Sequence, residues 1–425
     1  MKRLAFALLS DLARRVINKY HPQIVGVTGS YGKTSTKEAI DAVLSEVYEV
    51  RSSTASFNNE LGVPFTVLGV PGGTTSGTAR VFKAFWNGVV LLATRAPYPT
   101  VLVLEMGADR PGDIARLLGL APLTVGVLTS VGPTHLQRFG SIENVFTEKS
   151  QLATELSDRG WAILNGDDGR VRSLGDVAPV RIVSYGFQSG VAVRCVDAAP
   201  SRSEAGEWGM LLNIEFVNHA ERVFVPGVTG RHSAYAALAA FSVGIAYHLD
   251  LVEIADGLKK YQPPPGRMRV LPGVKRTVLI DDTYNSSPDA CIAAVDALRE
   301  FPVEGKRYAL LGDMADLGIA TEQGHRAVGK EIADEQIDVF IGVGEAMRKA
   351  ADEARAQGMD TDRVFSFDDP FSAARFVKER MKQGDTVLLK GSQLSRMEKA
   401  VKELMAEPER AEELLVRQEP KWLKT

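Results

Sequence analysis

Cysteine is almost absent from this sequence: Cys195 and Cys291 are the only two in 425 residues. Their separation argues against a disulfide framework or a cysteine-ligated zinc and suits a reducing, cytoplasmic setting. A surplus of positive charge is missing as well. Lysine and arginine number 50 against 53 aspartate and glutamate, a net −3 with histidine neutral. Charge therefore gives no sign of nucleic-acid binding, and no nucleic-acid partner is expected. The apolar run near the start, Leu4 to Leu9, is short and is soon followed by Asp11. A bilayer span needs about 20 apolar residues, and the run fits an export signal poorly. No internal repeat or low-complexity tract interrupts the chain. What is present is ordinary for a globular protein, 45% hydrophobic and 24% charged. At roughly 150 residues per domain the length holds two or three domains.

Within the first 22 residues, Leu4, Leu8, Leu12 and Val16 recur at roughly helical spacing with Arg14, Arg15 and Lys19 among them. This predicts an amphipathic helix. Its plainer reading is a helix docked on its own protein. The other is peripheral contact with a membrane, because basic residues beside an apolar stripe also suit anionic lipid.

From Gln23 the sequence I-V-G-V runs into T-G-S-Y-G-K-T-S, and helical periodicity resumes from Lys37 to Leu44. A strand, a glycine-bearing loop and a helix N-terminus follow one another in the order that a phosphate cradle requires. The amides of Gly29, Ser30, Gly32 and Ser35 and the helix dipole would face phosphate. Lys33 would neutralise its oxygens and the Thr34 hydroxyl would reach Mg²⁺. Five residues separate Gly26 from Gly32, one more than the usual spacing, and a chance turn before a helix is the alternative.

Other short apolar runs end in chemistry-bearing residues: Val101 to Leu104 in Glu105, and Thr124 to Thr129 shortly before His135. Buried parallel strands read this way, and their carboxyl ends are where open α/β sheets hold ligands. Glu105 and His135 are therefore expected on the same edge as Lys33, although either alone would read as a loop-stabilising residue. Alternation between about Arg181 and Val225 predicts an antiparallel excursion, and Q-P-P-P-G-R-M reads as a linker. The expected domains are residues 1–22 as the helix, 23–262 as a central domain that carries the phosphate cradle and 263–425 as a second α/β domain with a mostly parallel sheet. In that last part T-V-L-I-D-D ends at Asp281 and Asp282, for which helix capping and ligand contact are evenly matched.

Several segments taken in order carry a family likeness from Ile24 to Leu404: T-G-S-Y-G-K-T-S, F-N-N-E-L-G-V-P, L-E-M-G-A, G-P-T-H-L-Q-R-F-G-S, L-N-G-D-D, I-D-D-T-Y-N-S-S-P, L-G-D-M-A-D-L-G and L-L-K-G-S. The chain resembles the Mur ligases, most closely the MurF type that joins D-alanyl-D-alanine to UDP-N-acetylmuramoyl-tripeptide. The resemblance implies an ATP-dependent carboxylate-amine ligase working through an acyl phosphate, with a central ATPase domain and a C-terminal Rossmann-like domain. It implies a monomeric, cytoplasmic enzyme of peptidoglycan precursor synthesis whose partners are a UDP-muramoyl peptide and a dipeptide or amino acid.

By the same resemblance, Lys33 and Thr34 correspond to phosphate and Mg²⁺ contacts, and Glu105 and His135 to residues of a second Mg²⁺. Lys149, in F-T-E-K-S-Q-L, corresponds to a lysine that carries a carbamate; without the resemblance it would read as a solvated side chain. Asn58 and Asn59 correspond to paired asparagines near the reacting substrate. Arg267, Asp282, Tyr284 and Asn285 correspond to a nucleotide-facing segment, and Lys390 and Ser392 to groups facing the amine substrate.

Two departures stand out. Only 25 residues precede Gly26, where the family has a domain that holds the UDP end, so the acyl substrate is expected to be held in a shortened way. In G-R-H-S-A-Y-A-A, Ser233 and Ala236 replace the two asparagines of the usual G-x-H-N-x-x-N. A related peptide or folylpolyglutamate-type ligase, or a nucleotide-binding scaffold without catalysis, are the alternatives that these departures raise.

Overall fold

A computed structural model describes residues 2–54, 62–72 and 77–423. Asn58 and Asn59 lie outside the described residues. The chain forms two compact units: Met1–Ala198, Leu212–Val225 and Ala234–Gln262 make the first, and Ala199–Leu211, Pro226–Ser233 and Pro263–Thr425 the second.

The strands of the first part are β1 (Gln23–Thr28), β2 (Val50–Ser52), β3 (Val101–Glu105), β4 (Val125–Leu128), β5 (Trp161–Asn165), β6 (Arg181–Gly186), β7 (Val193–Arg202), β8 (Trp208–Phe216) and β9 (His219–Pro226). They form one sheet in the order β2-β3-β1-β4-β5-β6-β7-β8-β9. All neighbours from β2 to β6 are parallel. Strand β1 lies between β3 and β4, with Val27 opposite Glu105 and Thr28 opposite Leu128. Three carboxyl ends thus open side by side, the arrangement that makes a crevice at a sheet edge.

The expected antiparallel excursion begins later than Arg181. Strand β6 joins the parallel sheet against β5, because its apolar residues extend the same buried layer. The excursion is β7 to β9. There Asp197 faces Asn213 and Arg194 faces Glu215, the descending register of an antiparallel pair.

The helices around this sheet begin with α1 (Lys2–Tyr20), α2 (Lys33–Leu44), α3 (Gly62–Val67), α4 (Gly77–Ala93), α5 (Asp113–Leu120), α6 (Leu136–Phe139) and α7 (Ile142–Thr154). The buried stripe of α1 is Leu9, Ala13, Val16 and Ile17, which joins the core of the unit. Of the expected stripe Val16 is buried and Leu12 packs against the core, whereas Leu8 is 52% exposed and Leu9 is buried in its stead. Further on come α8 (Gly169–Arg172), α9 (Arg231–Ala246) and α10 (Leu251–Lys259). The last is opened by a capping box, in which Asp250 accepts from the Glu253 amide and Glu253 accepts from the Asp250 amide.

The second unit holds β10 (Arg269–Gly273), β11 (Thr277–Asp282), β12 (Arg307–Gly312), β13 (Val339–Val343), β14 (Val364–Phe367) and β15 (Thr386–Lys390), ordered β10-β11-β15-β12-β13-β14. Only β10 is antiparallel to its neighbour. Period-two alternation sends Ile280, Ala309, Leu311, Phe340 and Leu388 into one core and Leu279, Leu310, Ile341 and Leu389 into another. Helices α11 (Pro288–Glu300), α12 (Thr321–Asp334) and α13 (Met347–Ala356) cover the first face, and α14 (Pro370–Arg380) and α15 (Glu398–Leu404) the second. The fold is α/β throughout, as expected.

Candidate functional site

The loop between β1 and α2 is built by glycine where nothing else fits. Gly29 has φ 152°, and a Cβ there would stand 1.9 Å from Thr129 Oγ1; Gly32, the N-cap of α2, has φ 79°. The loop is tied to the segment after β4. Ser30 N donates to Ser130 O (2.8 Å), Gly132 N donates to Ser30 Oγ (2.8 Å) and Ser30 Oγ donates to Gly132 O (3.1 Å). Lys33 opens α2 and its ammonium folds back to Gly29 O (2.7 Å) and Ser30 O (3.3 Å). Its charge is thereby held over the loop, with Ser35 in the same first helical turn.

Thr34 and Glu105 meet directly. Thr34 Oγ1 donates to Glu105 Oε2 at 2.9 Å with both side chains buried, Glu105 only 3% exposed. The Glu105 amide donates to Ser53 Oγ, and the buried ammonium of Lys37 donates to Ser53 O and Glu38. Lys37, one turn along α2 from Lys33, was not legible as a site residue, because nothing in its spacing announces burial.

His135 takes a left-handed conformation, φ 54°, as the N-cap of α6. Its Nε2 lies 3.6 Å from Asp109 Oδ1, and Arg138 lies 3.5 Å from Asp109 Oδ2. Lys149 sits on α7, 2% exposed. Burial, and after it the cation of Lys33, push its ammonium down to about 7 against the opposing carboxylates of Glu148 and Asp109. Glu148 is itself fixed by the N-terminus of α5, accepting from Gly112 N (2.8 Å) and Ile114 N (2.7 Å). Lys33, Thr34, Glu105, Asp109, His135 and Lys149 are thus linked through direct contacts and near charges at one edge. Asp109 and Glu148 were missed in the sequence, although both lie inside or beside the motifs that supplied Glu105 and Lys149.

The L-N-G-D-D segment stitches this edge together. Asn165 donates to Thr129 O (2.7 Å), Asp168 accepts from Val131 N (2.8 Å), and Asp167 accepts from Tyr235 and from the Phe187 and Gln188 amides. Of the two substituted positions, Ser233 donates to Thr229 O (2.8 Å) and Ala236 is buried.

In the second unit the acidic pair divides its work. Asp281 Oδ1 accepts from the Thr283 hydroxyl and amide, and Oδ2 from Gly266 N. Its burial pushes the carboxyl up to about 6. Asp282 Oδ1 accepts from Met268 N, and Oδ2 pairs with Lys390 at 2.5 Å. Lys390 is the last residue of β15, is 2% exposed, and also donates to Asn285 O (2.9 Å). Arg267 lies over the Tyr284 ring at 4.0 Å. Ser392 meets Ser395 Oγ at 3.0 Å, and its amide donates to Asp313 O. His232 belongs to this group too. Desolvation holds its imidazole below the usual range, Asp282 opposing and Lys390 reinforcing.

The chain is similar to known proteins over most of its length. Residues 27–78 and 88–244 match the Mur ligase middle domain, and residues 266–393 match the glutamate ligase domain of Mur ligases. The UDP-N-acetylmuramoyl-tripeptide–D-alanyl-D-alanine ligase of Mycobacterium leprae is 32% identical over 393 residues, covering 87% of this chain and 71% of the relative. Its counterpart in Bacillus subtilis is 29% identical over 400 residues, covering 94% and 79%. The crystal structure of MurF ligase from Thermotoga maritima in complex with ADP superposes with TM-score 0.74 at 26% identity, covering 96% of this chain and 84% of that one. With the strand-end residues assembled on the fold these relatives share, the chain belongs to the Mur ligase family and is a ligase.

Proposed function

We propose that the chain couples ATP hydrolysis to amide formation, adding D-alanyl-D-alanine to a UDP-muramoyl-tripeptide in peptidoglycan precursor synthesis. It would do so in the cytoplasm as a monomer. The observation that carries this reading is the gathering of Lys33, Thr34, Glu105 and Lys149 at the edge where β1, β3 and β4 end. A carboxylate is a poor electrophile. Transfer of the γ-phosphoryl group of ATP to one of its oxygens supplies a leaving group. The amine nitrogen then bonds the carbonyl carbon, phosphate leaves and the nitrogen gives up a proton. The amides opening α2 and its dipole face the phosphates, and Lys33 swings from its loop carbonyls to offset their charge. Arg267, Asp282, Tyr284 and Asn285 are proposed to meet the nucleotide, Asn58 and Asn59 the acyl substrate, and Lys390 and Ser392 to shape the amine side.

The donor set fits Mg²⁺. Thr34 and Glu105 present hard oxygens, the ligand type that Mg²⁺ prefers. When bound, Mg²⁺ offsets charge on phosphate oxygens; Thr34 with Glu105 would hold one ion, and Glu105, His135 and Lys149 a second. For Lys149 to serve it must become an anion. An amine brought down to about 7 is substantially neutral near neutral pH, and its lone pair can bond the carbon of CO₂, releasing a proton and leaving a carbamate.

The test is release of ADP and phosphate with ATP, Mg²⁺ and UDP-muramoyl-tripeptide, with and without D-alanyl-D-alanine, and mass spectrometry of the product. The expected product is the tripeptide substrate plus the dipeptide less one water. Turnover indifferent to both substrates, or an amide formed only with another amino acid, overturns the assignment. An intact mass 44 Da higher is the sign of the carbamate, roughly the mass of CO₂ added to the amine.

A further inference from the structure

We propose that the outward face of α4, with the basic outer side of α1 beside it, docks on an anionic lipid surface. Phe82, Phe85, Trp86, Val89 and Val90 follow one another at helical spacing on α4 and are all exposed, Phe82 by 69% and Trp86 by 60%. The same helix buries only Ala84 and Gly88, with Val81, Leu91 and Leu92 partly covered. An apolar stripe of this length on the wet side of a helix is what soluble proteins avoid unless something covers it.

The helix is firmly seated, so the stripe is a fixed surface. A Cβ on Gly88 would fall 2.2 Å from Leu12 Cδ2, so glycine is what lets α1 approach. Lys19 of α1 donates to the carbonyls of Leu91 (2.8 Å), Leu92 (3.0 Å) and Thr94, closing the C-terminus of α4, and Tyr20 adds a bond to Leu91 O. Apart from the exposed Leu8, the described apolar stripe of α1 is used internally, so the outward apolar contact falls mainly to α4.

Charge identifies the occupant. Residues 2–20 carry five lysines and arginines against one aspartate, and residues 77–95 carry three and no acid, in a chain whose net charge is −3. Arg14, Arg15 and Lys83 are exposed, Arg15 pairing with Asp11 at 2.9 Å. A second copy of the chain meeting this face by twofold symmetry would oppose like charges. An anionic bilayer satisfies both features, acyl chains taking the aromatic stripe and headgroup phosphates the cations. Among the described residues no helix is long and apolar enough to cross a membrane. Helix α4 would therefore lie along the interface, where tryptophan is favoured.

Flotation of the full chain tests this, using vesicles of phosphatidylglycerol mixed with phosphatidylcholine against vesicles of phosphatidylcholine alone. The expected result is flotation with the anionic vesicles that weakens with added salt. Phe82→Ser with Trp86→Ser should lower partitioning at least about tenfold, and Lys83→Glu with Arg95→Glu several-fold at low salt. Brominated acyl chains should quench the wild-type fluorescence, and Trp86→Phe should remove that quenching while the protein still floats. This last variant decides the matter if the serine pair disturbs folding. A wild-type chain that stays with the soluble fraction overturns the proposal. So does unchanged flotation of a serine variant with normal circular dichroism, or a lipid-free dimer that the serine variant dissolves.

Discussion

Both units end parallel strands in charged residues, yet they treat a lysine in opposite ways. In the first, Lys33 rests on two loop carbonyls and Lys149 is buried beside another cation, so that its proton is loosely held. In the second, Lys390 is buried against Asp282 and a carbonyl, its charge matched in place. Burial alone therefore says little about role. What differs is whether the fold sets a carboxylate directly against the buried ammonium, as it sets Asp282 against Lys390.

The sharpest way to break this contrast is Lys33→Ala. Turnover should fall at least about a thousandfold with melting temperature nearly unchanged; a stability loss with preserved turnover would reverse the roles of the two regions. Lys390→Met should act on stability by stranding Asp282, costing about 3–5 kcal/mol in denaturant unfolding. Adding Asp282→Asn should recover part of that loss, and a purely additive double variant would show that the two do not act as a pair.

Lys149 sharpens the comparison through pH. In buffer free of CO₂ the folded chain releases this proton near 7, whereas the unfolded chain keeps it towards the ordinary 10.5. The unfolded state then binds more protons across that window, so stability should rise with pH from about 7 upward, by at most about 1.4 kcal/mol per unit. Comparing the melting temperature of Lys149→Met with wild type from pH 7 to 9 should show the slope flattened. The smallest effect is expected far from either cluster. Asp250→Ala, which removes half of the α10 capping box, should cost about 1 kcal/mol by chemical denaturation and leave turnover intact.

Much of the site could be read from the chain because local signals coincide there. The run from Ile24 through Thr34 states a strand, a glycine turn and a helix start within a dozen residues, and Glu105 ends an apolar strand of its own. Lys37 and Glu148 were not readable, since their importance comes from burial beneath loops distant in sequence. Asp109 differs again. It directly follows the L-E-M-G-A motif, but its place beside His135 and Lys149 depends on how the loop after β3 folds. The stripe of α1 was misread at Leu8 for a related reason. Leu8 and Leu9 are equally apolar, and only the neighbours packed against α1 select between them.

What the sequence determined by itself is the order of strands, loops and helices, and the residue types at each strand end, because periodicity and glycine are properties of neighbouring residues. What only the tertiary structure decided is charge state and exposure: that Lys149 holds its proton weakly, that Lys390 is already paired, and that α4 turns its aromatic residues to water. These depend on desolvation and on countercharges brought from other segments, which no local stretch of chain contains.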